Sequence, residues 1–134
     1  MRCFTWLSAM ALFSATTLAG SLTGLDIKVT HQIPISKCPT KALAGDLVDV
    51  HYVGKLRDTE AKFDSSYDRG TPITFKLGSG QVIEGWDKGL VGMCIGEKRT
   101  IQIPSSMAYG ARGIPGVIPE NADLVFDVQL VNIK

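Results

Sequence analysis

The sequence predicts an α+β domain: a curved, antiparallel, five-stranded half-barrel sheet wrapped around one short helix. Three observations carry that expectation. Five stretches alternate, or run β-branched, in the manner of half-buried strands. One stretch, residues 82–90, has helical spacing: Ile83 and Trp86 are three apart, Trp86 and Leu90 four apart, so all three share a face. An amphipathic sheet needs cover on its apolar face, and a single helix supplies it only if the sheet curves around it.

The elements follow in order. Residues 25–33 alternate with period two and read as a strand with one buried face, stopped by Pro34 and the Cys38-Pro39 pair. Ala44-Gly45-Asp46 makes a turn, and Leu47 to Val53 is a second strand broken by Gly54. Lys55 to Lys62 is a polar loop or hairpin connection. Phe63-Asp64-Ser65-Ser66 is a short segment whose aromatic can point inward. After the turn Arg69-Gly70-Thr71-Pro72, residues 73–77 form a third strand with Ile73, Phe75 and Leu77 on one side. The Gly-rich turn of residues 77–81 leads into the Trp86 helix, which stops near Gly92. Residues 98–103 form a fourth strand, 104–121 a long loop rich in Gly and Pro, and 123–133 the last strand, with Leu124, Phe126, Val128 and Leu130 on one face.

The 134 residues amount to about one domain. Residues 1–20 differ from the rest: Arg2 is their only charge, an apolar run extends from Phe4 to Leu18, and small residues follow at Ala19 and Gly20. This reads as a cleaved secretory signal rather than a membrane anchor, for which the run is short and interrupted. Of 14 basic residues Arg2 leaves with the leader, and the others balance 13 acidic ones. With no basic stripe, nucleic acid is excluded as a partner, and so is a membrane once the signal is removed. Cys3 also leaves, so Cys38 and Cys94 remain. In an oxidising compartment they most simply form a disulfide, closing a loop of about 57 residues worth on the order of 4 kcal/mol. The alternative is two buried free thiols.

The usual catalytic sets are missing. There is no Gly-x-Ser-x-Gly elbow, no Walker lysine loop and no Cys-x-x-Cys. His31 and His51 lack metal-ligand spacing, so no metal and no cofactor is expected, and His51 reads as a structural histidine. What remains beside the turns is apolar: Tyr52, Phe63, Phe75, Val82, Ile83, Trp86, Tyr109, Ile118 and Phe126, with the single carboxylate of Asp64 after Phe63. An apolar pocket with few polar groups suits a reaction that needs no nucleophile, acid–base pair or metal. Rotation about an X-Pro amide is one such reaction, its barrier being the partial double bond.

These residues resemble the FKBP family of peptidyl-prolyl cis–trans isomerases, which bind tacrolimus and rapamycin. The resemblance rests on Val50-His51-Tyr52-Val53-Gly54, Phe63-Asp64-Ser65-Ser66, Gln81-Val82-Ile83-Glu84-Gly85-Trp86, Gly96-Glu97-Lys98, Ala108-Tyr109-Gly110 and Leu124-Val125-Phe126-Asp127-Val128. It implies an isomerase domain over residues 45–134, with residues 21–44 adding a strand and the Cys38 segment. It implies catalytic roles for Asp64, Tyr109, Trp86 and Tyr52, with Trp86 as platform for the substrate proline. It implies substrate and macrolide contacts from these and from Phe63, Arg69, Phe75, Gln81, Val82, Ile83, Val117, Ile118 and Phe126. Ile73 stands where many relatives carry an aromatic residue, which leaves one wall lower. Implied partners are proline-containing polypeptide clients and tacrolimus- or rapamycin-type inhibitors, and the domain is expected to act as a monomer. A non-catalytic module holding proline-containing segments in the same pocket is the alternative. The leader and the cysteine pair most resemble the small secretory-pathway branch, whose cysteines at these places are bridged. That implies the endoplasmic reticulum lumen. The end Val131-Asn132-Ile133-Lys134 is not a retention tetrapeptide, so secretion stays open.

Overall fold

The computed structural model describes residues 22–134, and the leader read over residues 1–20 lies outside them. Among these residues six strands form one antiparallel sheet: β1 (Asp26–His31), β2 (Leu47–Leu56), β3 (Lys62–Ser65), β4 (Ile73–Lys76), β5 (Lys98–Ile103) and β6 (Leu124–Ile133). The order is β1-β5-β6-β2-β3, and β4 pairs with the first half of β2. Among the described residues two short α-helices accompany it, α1 (Ser66–Arg69) and α2 (Glu84–Gly89). Tyr52 from β2 and Phe126 from β6 pack against Trp86 of α2, so the sheet's inner face closes on the helix as the sequence predicts. The core comprises Val48 and Val50 of β2, Ile101 and Ile103 of β5, four alternate residues of β6, and Leu77, Trp86, Leu90 and Met93.

Three expectations need correction. The sheet has one strand more than predicted, because β2 runs through Gly54 to Leu56 and turns back as the four-residue β3. Gly54 does not break the strand; it admits two rings, since a Cβ there would lie 2.7 Å from Phe126 and 2.8 Å from Phe63. The turn expected at Arg69 to Pro72 is preceded by a full helical turn, α1. Its Ser65 side chain caps the Tyr67 amide and Gly70 closes it at φ 76°. Finally, β1 has no buried face: all six residues are exposed, including Ile27 and Val29. Its alternation is real, but β1 pairs only with β5 at the sheet's edge, beyond the cover of α2.

The cysteines are bridged, Cys38 to Cys94 across 56 residues, with Cα atoms 5.5 Å apart. This joins the segment after β1 to the turn after α2. Backbone bonds run beside it, from the Ala42 amide to the Met93 carbonyl and from the Gly92 amide to the Ala42 carbonyl.

The seat of α2 depends on two glycines. A Cβ on Gly85 would lie 2.5 Å from Ile103, and one on Gly89 would lie 2.9 Å from Ile101. The helix therefore rests on β5 closer than any side chain permits. Gly85→Ala is expected to cost about 1–3 kcal/mol by overpacking, whereas Gly24→Ala, with nothing within 4 Å, should stay within about 0.5 kcal/mol of the parent. Urea unfolding checks both, and equal midpoints for the two variants would contradict the close seat.

Candidate functional site

Trp86 lies in the first turn of α2, 4% exposed, with rings from three strands around it. Tyr52 meets it edge to face at 4.9 Å and 79°, Phe126 at 5.3 Å and 85°, and Phe75 tilted at 5.6 Å. Phe63 stands edge to face on Phe126 at 5.7 Å. These are the favoured aromatic geometries, and each ring fixes the next. The indole Nε1 is buried and has no hydrogen-bond partner among the described residues.

Above the indole lies a hollow of about 270 Å³ lined by Tyr52, Phe63, Asp64, Ile73, Gln81, Val82, Ile83, Trp86, Tyr109 and Phe126. Nine of these are residues that the resemblance implies as contacts. The tenth, Ile73, is the aliphatic wall noted where relatives carry a ring. Phe75 does not line the hollow; it is buried beneath, supporting Trp86. Val117 and Ile118 also lie off it, around a separate surface depression with Arg112 and Pro119, and Ile118 is buried in the core.

Arg69 stays off the lining as well, but it acts on two residues that form it. Its Nη1 donates to Asp64 Oδ1 at 2.7 Å and its Nη2 to the Tyr52 hydroxyl at 2.8 Å. The Tyr52 hydroxyl in turn donates to Asp64 Oδ2 in a short hydrogen bond, and the Ser65 amide donates to Oδ1 at 2.8 Å. Helix α1 makes this closed triangle possible. Its first residue, Ser66, is fully buried and accepts the Tyr52 amide at 2.8 Å; its last residue is Arg69. The ion pair is about half exposed and adds little stability by itself; what it contributes is orientation. His51 is a satisfied structural residue, with Nδ1 2.8 Å from Ser66 Oγ and its ring stacked on Tyr67 at 4.5 Å.

Electrostatics follow from this geometry. Burial works to raise the Asp64 pKa, but the Tyr52 hydroxyl, the Arg69 guanidinium and the Ser65 amide together hold it below the usual carboxylate range. Burial, then the bond to Asp64, pushes the Tyr52 hydroxyl up. Burial and the charge of Asp64 do the same to Tyr109 across the hollow. At neutral pH the site therefore holds one carboxylate with both oxygens occupied and two un-ionised phenols. Among the described residues that line it there is no Ser, Cys, Lys or His to serve as a nucleophile. Among the described residues no group of three or more His, Cys, Asp or Glu could hold a metal ion.

Helix α1, which sets Ser66 and Arg69, escaped the sequence reading; the signal that could have found it is Ser65 as a cap before a short polar run closed by Gly70. The Asp87 carboxylate, which accepts the Gly78 and Gly80 amides at 2.9 Å each and pins the loop before Gln81, carried no such signal.

Residues 38–131 match the family model described as FKBP-type peptidyl-prolyl cis-trans isomerase. The chain is 60% identical over 122 residues to the peptidyl-prolyl cis-trans isomerase FPR2 of Saccharomyces cerevisiae, covering 91% of this chain and 90% of that one. It is 53% identical to FK506-binding protein 2 of Kluyveromyces lactis, over 100% of this chain and 94% of that one. Its fold is similar to the crystal structure of AtFKBP13, with a TM-score of 0.73 at 38% identity over 85% of this chain and 96% of the other.

Carboxyl-detected NMR is expected to find Asp64 titrating below the ordinary aspartate value of about 3.9, and Arg69→Ala should move it upward. The sign follows from linkage. A lowered folded pKa gives a stabilising contribution present above the unfolded value and lost as pH falls through the folded one. An Asp64 that titrates above the ordinary value, or does not respond to Arg69→Ala, would contradict the triangle.

Proposed function

The chain belongs to the FKBP-type peptidyl-prolyl cis-trans isomerases, and from that premise we propose that it rotates X-Pro bonds in the hollow above Trp86. The observation that carries this reading is the union of a buried aromatic floor with a carboxylate whose two oxygens are already held by hydrogen bonds. The barrier to rotation, about 18–20 kcal/mol, is loss of amide resonance. Resonance makes the planar amide polar, and twisting removes that polarity. A pocket of rings with water excluded therefore favours the half-rotated bond over the flat one, which is differential binding of the transition state.

Each residue has a place in this scheme. Trp86 is the platform under the proline ring; Tyr52, Phe63, Ile73, Val82 and Phe126 are its walls. The Ile83 amide at the start of α2 and the Tyr109 hydroxyl hold carbonyls on either side of the rotating bond. Asp64 acts by its field, kept ionised and immobile by Tyr52 and Arg69. Gln81 closes one rim, its side chain accepting the Lys76 amide at 2.9 Å. The clients are proline-containing chains in the secretory pathway, reached through the apolar leader. The bridged cysteines support an oxidising compartment. The same hollow takes a tacrolimus-type macrolide, a reading supported by relatives named as FK506-binding proteins.

Trp86→Leu and Asp64→Val are each expected to lower kcat/KM on a Leu-Pro peptide about tenfold or more, a loss of about 1.4 kcal/mol or greater in transition-state binding. Both should keep the parent's far-ultraviolet circular dichroism. Isomerisation by NMR exchange or a protease-coupled assay measures this, and parent rates in both folded variants would reject the site.

A further inference from the structure

A buried carboxylate and a half-buried guanidinium lie outside the hollow, and their contacts run to the helix that floors it. Arg99 and Glu97 have side chains 12% and 6% exposed. Arg99 Nε donates to Glu97 Oε2 at 2.6 Å, and its Nη1 donates to the Gly89 and Val91 carbonyls at 2.9 and 3.0 Å. Those carbonyls belong to the last residue of α2 and to the turn just after it. The other Glu97 oxygen accepts the Cys94 amide at 3.0 Å, and Cys94 is bridged to Cys38. One side-chain pair thus joins β5, the end of α2 and the disulfide-bearing turn.

A six-residue helix has little stability of its own. Its position depends on what holds it. Gly85 and Gly89 fix how close α2 lies to Ile103 and Ile101, but contact with aliphatic surface does not stop the helix sliding or tilting along β5. Arg99 is on the same strand, two residues before Ile101, so it shares the helix-facing side. A guanidinium on free carbonyls at a helix end is directional in a way that packing is not, and it matches the negative end of the helix. The Trp86 carbonyl accepts the Leu90 amide inside the turn that Arg99 holds. Displacing that turn displaces the indole.

We propose that Arg99, oriented by Glu97, is a positioning residue for catalysis: it sets the height and tilt of Trp86 beneath the rotating bond. This rests on the reading of Trp86 as the floor. Arg99 touches no substrate; it acts through the end of α2.

The test uses the full chain with Trp6→Phe in every form, so that Trp86 is the single tryptophan. Arg99→Ala leaves a buried carboxylate unpaired and could unfold the chain. The double variant Glu97→Gln/Arg99→Met is therefore made beside it, removing both charges while keeping bulk and an acceptor for the Cys94 amide. Val48→Ala, a cavity in β2 away from the hollow, serves as a control for destabilisation. The double variant, measured where it is fully folded, should lose at least about fivefold in kcat/KM and show a shifted Trp86 emission maximum, while Val48→Ala keeps parent values for both. Parent turnover and emission in the folded double variant would overturn the proposal. So would an equal loss in Val48→Ala, which would make the effect one of stability alone. Trp86→Leu in the same assay separates the two readings. If it leaves turnover unchanged, the floor itself is misassigned; if it lowers turnover while the double variant does not, only the role of Arg99 fails.

Discussion

The molecule depends on how closely a short helix can approach a strand. Gly85 and Gly89 leave room for Ile103 and Ile101, and α2 sinks into the sheet's inner curve until Trp86 meets Tyr52 and Phe126 edge to face. The hollow is what remains above the indole once that contact is made. A larger residue at either glycine would lift the floor towards the rim. Gly54 plays the same part in the wall, leaving space where Phe63 and Phe126 cross. The site is thus carved by residues that have no side chain, and lined by those that have the largest.

The polar half of the site is arranged to be inert. Among the described residues Asp64 is the one carboxylate lining the hollow, and each of its oxygens is already bonded. Helix α1 accomplishes this within four residues, since Ser66 anchors it to the backbone of Tyr52 and Arg69 returns to the Tyr52 hydroxyl. A carboxylate so held keeps its charge and its place. For a reaction that breaks no bond, a fixed field and a fixed shape are sufficient, and an available base would bring side reactions without benefit.

Long, periodic features were legible in the sequence. The 3- and 4-residue spacing of Ile83, Trp86 and Leu90 located the helix, and alternate apolar residues located β2, β4, β5 and β6. The resemblance added roles that periodicity cannot supply, and most of those residues line one hollow. What escaped was short or set by tertiary context. Strand β3 has four residues, too few to display a period, and it exists because β2 continues past Gly54 to pair with it. The alternation of β1 reports a strand but not its cover, which depends on where the helix ends. Arg99 looks like an ordinary strand charge until α2 is seen to finish beside it. Val117 and Ile118 sit in a long loop whose path is decided by its turns, including Gly113, where a Cβ would strike the Ile118 carbonyl at 2.3 Å.

The central claim is that rotation is favoured by a dry, shaped surroundings and that no proton moves on the way. The solvent deuterium isotope effect on kcat/KM tests it most directly, with the peptide's spontaneous isomerisation measured in parallel. A ratio of about 1 is expected, since a turning amide neither gives up nor takes a proton. A normal effect of about twofold or more, the sign of a proton in flight at the transition state, would contradict the account and return Asp64 or Tyr109 to acid–base chemistry.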